Sequence, residues 1–177
     1  GINIFSYVSS VGDVKLNNKY KDLDFSKIYE HEVYCPDKLC ALEMKKRIQS
    51  VKEVGDTIGG CVSTVVTGVP AGLGEPLYNK LNAALSFALM SINAAKGVEF
   101  GSGFSSSEML GSTHNDLFVK KGNKIVTKTN YSGGIQGGIS NGNDVLFRVA
   151  FKPVSSIMSP QKTINKDKKE VIFSNTG

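Results

Sequence analysis

Lys128-Thr-Asn-Tyr-Ser-Gly-Gly-Ile-Gln-Gly-Gly-Ile-Ser-Asn-Gly142 carries five glycines in fifteen residues, with hydroxyl and amide side chains between them. Glycine has no Cβ, so such a stretch lets backbone come close to a neighbour or a ligand. Immediately downstream, Val145, Phe147, Val149 and Phe151 alternate with Leu146, Arg148 and Ala150, the period-two signature of a strand. Extended geometry places Arg148 and Lys152 on the same side of that strand. Lys152-Pro-Val-Ser-Ser156 then closes the run. Bare amides, a rigid strand and an ammonium beside two hydroxyls form a series that suits a bound anion such as a phosphate.

Working outward, the 177 residues suffice for one domain with a real core, burying roughly 70% of the extended chain's surface. The net charge of +5 comes almost entirely from lysine, since Arg47 and Arg148 are the only arginines. A solvated, lysine-biased surface is the plain account; attraction of a small polyanion is the functional one. A nucleic-acid partner is disfavoured, because bidentate readers are scarce and no basic stripe interleaves with aromatics. Cys35, Cys40 and Cys61 show neither CxxC nor histidine spacing, so free thiols in a reducing compartment are expected and a metal is not. No signal peptide is visible, and the most apolar stretch, 81–95, is broken by Asn82, Ser86, Ser91 and Asn93. A cytoplasmic protein with no membrane partner is therefore expected.

Residues 2–11 alternate as a strand, with Ile2, Ile4 and Val8 on one face and Phe5 and Tyr7 on the other. A polar, lysine-rich stretch at about 14–32 reads as a surface excursion. Pro36 and Asp37 open a helix to about Ser50, its apolar stripe being Cys40, Met44, Ile48 and Val51. Residues 57–67 read as a strand. Leu77, Leu81, Ala84, Leu85, Ala88, Leu89 and Ile92 recur at helical spacing, with Glu75-Pro76 suiting the first turn and Lys96-Gly97 the end. A strand at 98–104, a long loop or loose hairpin at 105–130 and a short strand at Val171–Phe173 complete the pattern. Helices and strands mix without strict alternation, so the fold class is α+β.

Read alone, the residues give no catalytic machine. His31 falls in the polar excursion, and His114 in a turn where Asn115 or Asp116 is expected to bond local backbone. No serine sits on a nucleophile elbow. Pro70-Ala-Gly-Leu-Gly-Glu-Pro76 reads as a tight strand-to-helix connection, and Glu75 would repel a phosphate at that helix start.

Four further strings stand in register with the glycine-rich stretch: Gly68-Val-Pro-Ala-Gly-Leu-Gly-Glu-Pro76, Met90-Ser-Ile-Asn-Ala-Ala-Lys-Gly97, Gly101-Ser-Gly-Phe104 and Gly111-Ser-Thr-His-Asn-Asp116. In this order and spacing the five closely resemble chorismate synthases, over nearly the whole chain. The resemblance implies a sandwich with helices layered between antiparallel β-sheets, and a homotetramer. It implies the 1,4-elimination of phosphate from 5-enolpyruvylshikimate 3-phosphate to chorismate in the shikimate pathway, with reduced FMN as cofactor; NADPH or an outside supply as the flavin's reductant is left open. Carried over by position, Asn93, Ala94 and Gly137 are implied FMN contacts, and Lys152, Pro153, Val154, Ser155 and Ser156 the segment that holds the flavin phosphate. Val154 stands where members commonly have threonine, which removes one hydroxyl. The family's catalytic histidines, and a closing Arg-His-Asp-Pro motif, have no counterpart in this sequence. The expectation is thus a central portion of the enzyme with no catalytic residue of its own. The alternative is that the chain as given is a non-catalytic scaffold or assembly core.

Overall fold

The computed structural model describes residues 1–175. Strand β1 (Asn3–Val11) and the short β2 (Val14–Lys15) pair antiparallel, with Val11 opposite Val14. Two 3-10 turns, Tyr20–Asp22 and Phe25–Glu30, lead to helix α1 (Lys38–Glu53). Strand β3 (Gly60–Thr67), helix α2 (Leu81–Met90) and strand β4 (Ala95–Phe100) follow. A 3-10 helix (Gly103–Glu108) and the one-turn α3 (Gly111–His114) precede the hairpin of β5 (Phe118–Lys121) and β6 (Lys124–Thr127). Then come β7 (Ile135–Gln136), β8 (Ile139–Ser140) and β9 (Val145–Phe151). A hairpin of β10 (Gln161–Ile164) and β11 (Glu170–Phe173) ends the described chain. The largest sheet has the order β2-β1-β3-β9-β4. Helices with antiparallel sheets make this an α+β protein, as the sequence implies.

The chain forms two compact units, one of Gly1–Tyr7 with Val62–Ala150, the other of Val8–Cys61 with the chain from Phe151 on. The second unit is built around α1. Asp37 caps the helix, its Oδ1 accepting from the Cys40 amide at 2.8 Å, which satisfies one of the free donors of the first turn. Cys40, Ala41 and Met44 then meet Val11 and Cys35 in a buried cluster. Full burial of a side chain such as Met44 contributes about 1.5–3 kcal/mol. The stripe drawn from sequence is shorter in the structure, since Ile48 is 39% exposed and Ala41 is the buried neighbour instead. Burial pushes both thiols up, Cys40 to about 12, so they stay protonated and unreactive. The stretch 14–32 is folded in its second half, where Asp24 caps a 3-10 helix through Ser26 and Ile28 is buried.

In the first unit β9 contributes Val145, Phe147 and Val149 to the core, all buried, as their alternation requires. Phe147 packs against Phe100 of β4 with ring centres 5.9 Å apart. Helix α2 is shorter than its apolar period suggests. Leu77 precedes it in a turn where Tyr78 has φ +57°, and Lys96 and Gly97 belong to β4 rather than to a helix end. Its start is fixed from outside, because the Leu81 amide donates to the Gly138 carbonyl at 2.7 Å. Leu81, Leu85 and Leu89, one face of α2, are half-buried, whereas Phe87 on the other is exposed.

Candidate functional site

The glycine-rich stretch forms a structured corner of the first unit. β7 and β8 are joined by Gly137 and Gly138, with φ of +59° and +88°, the signs a two-residue type I′ hairpin turn needs. A Cβ at Gly137 would meet nothing within 4 Å, so this glycine faces open space. The Pro70–Pro76 connection folds back on the same hairpin. Ser140 Oγ donates to the Pro70 carbonyl at 2.6 Å and accepts from the Leu73 amide at 2.9 Å, while Gly74 bridges to Ile139. The glycines thus serve close backbone packing as well as any ligand.

Asn93 and Ala94 lie in the turn between α2 and β4, outside the helix proper. Ala94 holds φ +68°, a left-handed conformation that costs an alanine of order 1 kcal/mol. Gly137 and this turn are not neighbours. The Gly138 carbonyl meets the first residue of α2 and Asn93 follows its last turn, a separation of about 15 Å for a ten-residue helix. One ligand touching both must run along α2.

In the second unit, Lys152–Ser156 leaves β9 as irregular backbone. The Lys152 ammonium reaches only the neighbouring Pro153 carbonyl, at 3.3 Å, and forms no ion pair among the described residues. The Ser155 and Ser156 hydroxyls have no protein partner among the described residues. Val154 is 60% exposed, and its carbonyl accepts from the Thr57 hydroxyl at 2.6 Å. An ammonium without an ion pair and two hydroxyls without a protein partner, within five residues, are donors that suit an anion, so the chemistry present fits the phosphate end of a flavin nucleotide. Arg148, the other cation expected along this strand, is spent elsewhere: its guanidinium pairs with the half-buried Glu99, which also accepts from the Phe104 amide at 2.9 Å.

A second cluster in the first unit is invisible to local reading. The Asp116 carboxylate does not bond its own turn. It accepts from the Thr129 hydroxyl at 2.6 Å, the Tyr131 amide at 2.9 Å and the Ser132 amide at 2.8 Å, pinning the entry to the glycine-rich stretch. Burial works against its charge, but the bonds from Thr129, Ser132 and Tyr131 outweigh it and hold the carboxyl below its ordinary value. His114 Nε2 is 2.9 Å from Ser102 Oγ, and its ring stacks on Tyr131 at 5.7 Å. The string Gly111-Ser-Thr-His-Asn-Asp116 is the signal in the sequence, but its partners lie on segments that only folding brings near.

Comparison with known proteins identifies the family. A family profile described as chorismate synthase matches residues 1–177. Chorismate synthase from Azobacteroides pseudotrichonymphae genomovar. CFP2 is 53% identical over 172 residues, covering 97% of this chain and 49% of that protein. The enzyme from Christiangramia forsetii is 51% identical over 176 residues, covering 99% and 49%. The chain therefore spans about half the length of the curated relatives it matches. A crystal structure of chorismate synthase superimposes with a TM-score of 0.80 at 32% identity, over 88% of this chain and 50% of that one. The chain belongs to the chorismate synthase family.

Proposed function

We propose that this chain works in an FMN-dependent lyase that removes phosphate from 5-enolpyruvylshikimate 3-phosphate by 1,4-elimination to give chorismate. The observation that carries the proposal is the Lys152 ammonium, which forms no ion pair among the described residues, close in sequence to the hydroxyls of Ser155 and Ser156, in the segment that the resemblance to the family implies as the flavin-phosphate contacts. Lys152 supplies charge, Ser155 and Ser156 supply hydroxyl donors, and Pro153 and Val154 hold the backbone between them. Asn93, Ala94 and Gly137 offer a polar side chain and close-approach backbone to the rest of the cofactor. The chemistry that reduced FMN supplies when bound is a loan of electron density, given as phosphate leaves and recovered as the C6 hydrogen departs. The family's catalytic histidines have no counterpart in this sequence, so the 177-residue chain by itself is expected to release no phosphate. The working form is proposed to be a cytoplasmic homotetramer; no helix among the described residues is long and apolar enough to cross a membrane.

The test is Lys152→Ala in the full-length enzyme, with FMN affinity measured by quenching of flavin fluorescence. Loss of a charge-assisted bond should weaken binding by about 1.5–3 kcal/mol. Unchanged affinity would remove Lys152 from the site and the proposal's main support with it.

A further inference from the structure

The segment Lys152–Ser156 does little to hold its own shape. Its internal bonds are the Lys152 contact to Pro153 and an Ile157 amide donating to the Ser155 carbonyl at 2.9 Å. The loop 55–59 of the same unit supplies the rest. The Gly55 carbonyl accepts from the Met158 and Ser159 amides, at 2.9 and 3.0 Å. Gly59 packs so closely on the other side that a Cβ there would lie 3.1 Å from Pro153 Cδ. Midway between, the Thr57 hydroxyl donates to the Val154 carbonyl at 2.6 Å.

That last bond fixes a direction. A trans peptide is planar, with its C=O and N–H pointing opposite ways, and no cis peptide occurs among the described residues. Drawing the Val154 carbonyl toward Thr57 therefore turns the Ser155 amide away from the loop. This amide has no acceptor among the described residues. Pro153 has no N–H to offer and Val154 no hydroxyl, so the Ser155 amide is a main donor left to stand beside the Lys152 ammonium and the two serine hydroxyls.

We propose that Thr57 is a positioning residue: its hydroxyl sets the peptide plane that aims the Ser155 amide at the phosphate of a bound flavin nucleotide. The inference rests on the reading of Lys152–Ser156 as the phosphate segment. It assigns Thr57 a role through backbone geometry, with no contact of its own to the cofactor.

The test compares FMN with riboflavin, which lacks the phosphate, in the full-length protein. Thr57→Val should raise the Kd for FMN about three- to ten-fold, the effect of losing one neutral hydrogen bond, and leave that for riboflavin unchanged. Thr57→Ser keeps the hydroxyl and should restore FMN affinity. Thr57→Ala gives the same comparison should valine at this position disturb folding. Equal weakening toward FMN and riboflavin would reduce Thr57 to general packing and overturn the inference. So would a normal FMN affinity in Thr57→Val, provided Lys152→Ala still weakens FMN. If Lys152→Ala is also silent, the phosphate segment itself has been misassigned and both readings fall.

Discussion

Asp116 draws three donors from a segment thirteen to sixteen residues away, at the entry to the glycine-rich corner. Its carboxyl is held below its ordinary value, so its contribution to stability is present above the unfolded carboxyl value of about 3.9 and is lost as pH falls through the lower folded value. Asp116→Asn places an amide donor against backbone N–H groups and should destabilise by about 1–3 kcal/mol at pH 7. Thermal melts of the two proteins should begin to draw together below about pH 4, where the unfolded carboxyl is protonated before the native one, and should converge further as the native carboxylate takes up its proton. A gap that is the same at pH 7 and pH 3 would show that the charge contributes nothing. None of this could be read from Gly111-Ser-Thr-His-Asn-Asp116, because an aspartate two residues after a histidine bonds its own turn in most settings. The partners Thr129, Tyr131 and Ser132 exist only once the β5–β6 hairpin has brought them back.

Among the elements, α1 and β9 were legible and α2 was legible only in part. α1 carries its own start signal. Asp37→Ala removes the acceptor of the Cys40 amide and should cost about 1 kcal/mol, visible as a lower urea midpoint at an unchanged slope. A midpoint identical to that of the parent protein would mean water caps the helix equally well. β9 reads correctly because alternate residues on a strand face opposite sides, whatever the rest of the chain does. For α2 the apolar period runs from Leu77 to Ile92, but the helix spans only Leu81–Met90. Hydrophobic spacing reports which side chains seek cover, not where the backbone must turn. Those limits come from the Leu81 amide bonded to Gly138 and from the left-handed Ala94.

For the molecule as a whole, the same separation of local from distant causes appears in the glycines. Gly101 has φ +56°, and a Cβ there would collide with the Tyr131 carbonyl and the Gly133 amide, backbone atoms that cannot move aside. Gly122 has φ +61° with nothing within 4 Å. Gly122→Ala should therefore cost about 1–2 kcal/mol from conformation alone, whereas Gly101→Ala adds a steric clash and should cost more than about 3 kcal/mol. Circular-dichroism melts of the two variants check this; equal losses would mean that the packing of residues 131–133 on Gly101 is not rigid.

The sequence by itself determined the family, the α+β class, the capped helix after Pro36 and the β9 strand, because caps, periodicities and ordered motifs are properties of neighbouring residues. Only the tertiary structure decided that Arg148 belongs to Glu99, that Asp116 serves residues 129–132, that Gly137 and Asn93 stand at opposite ends of α2, and that Thr57 grips Val154. Each of these joins residues distant along the chain or bounds an element from outside. Hydrogen bonds and ion pairs act over about 3 Å in space and carry no trace of that separation in the local pattern of residues.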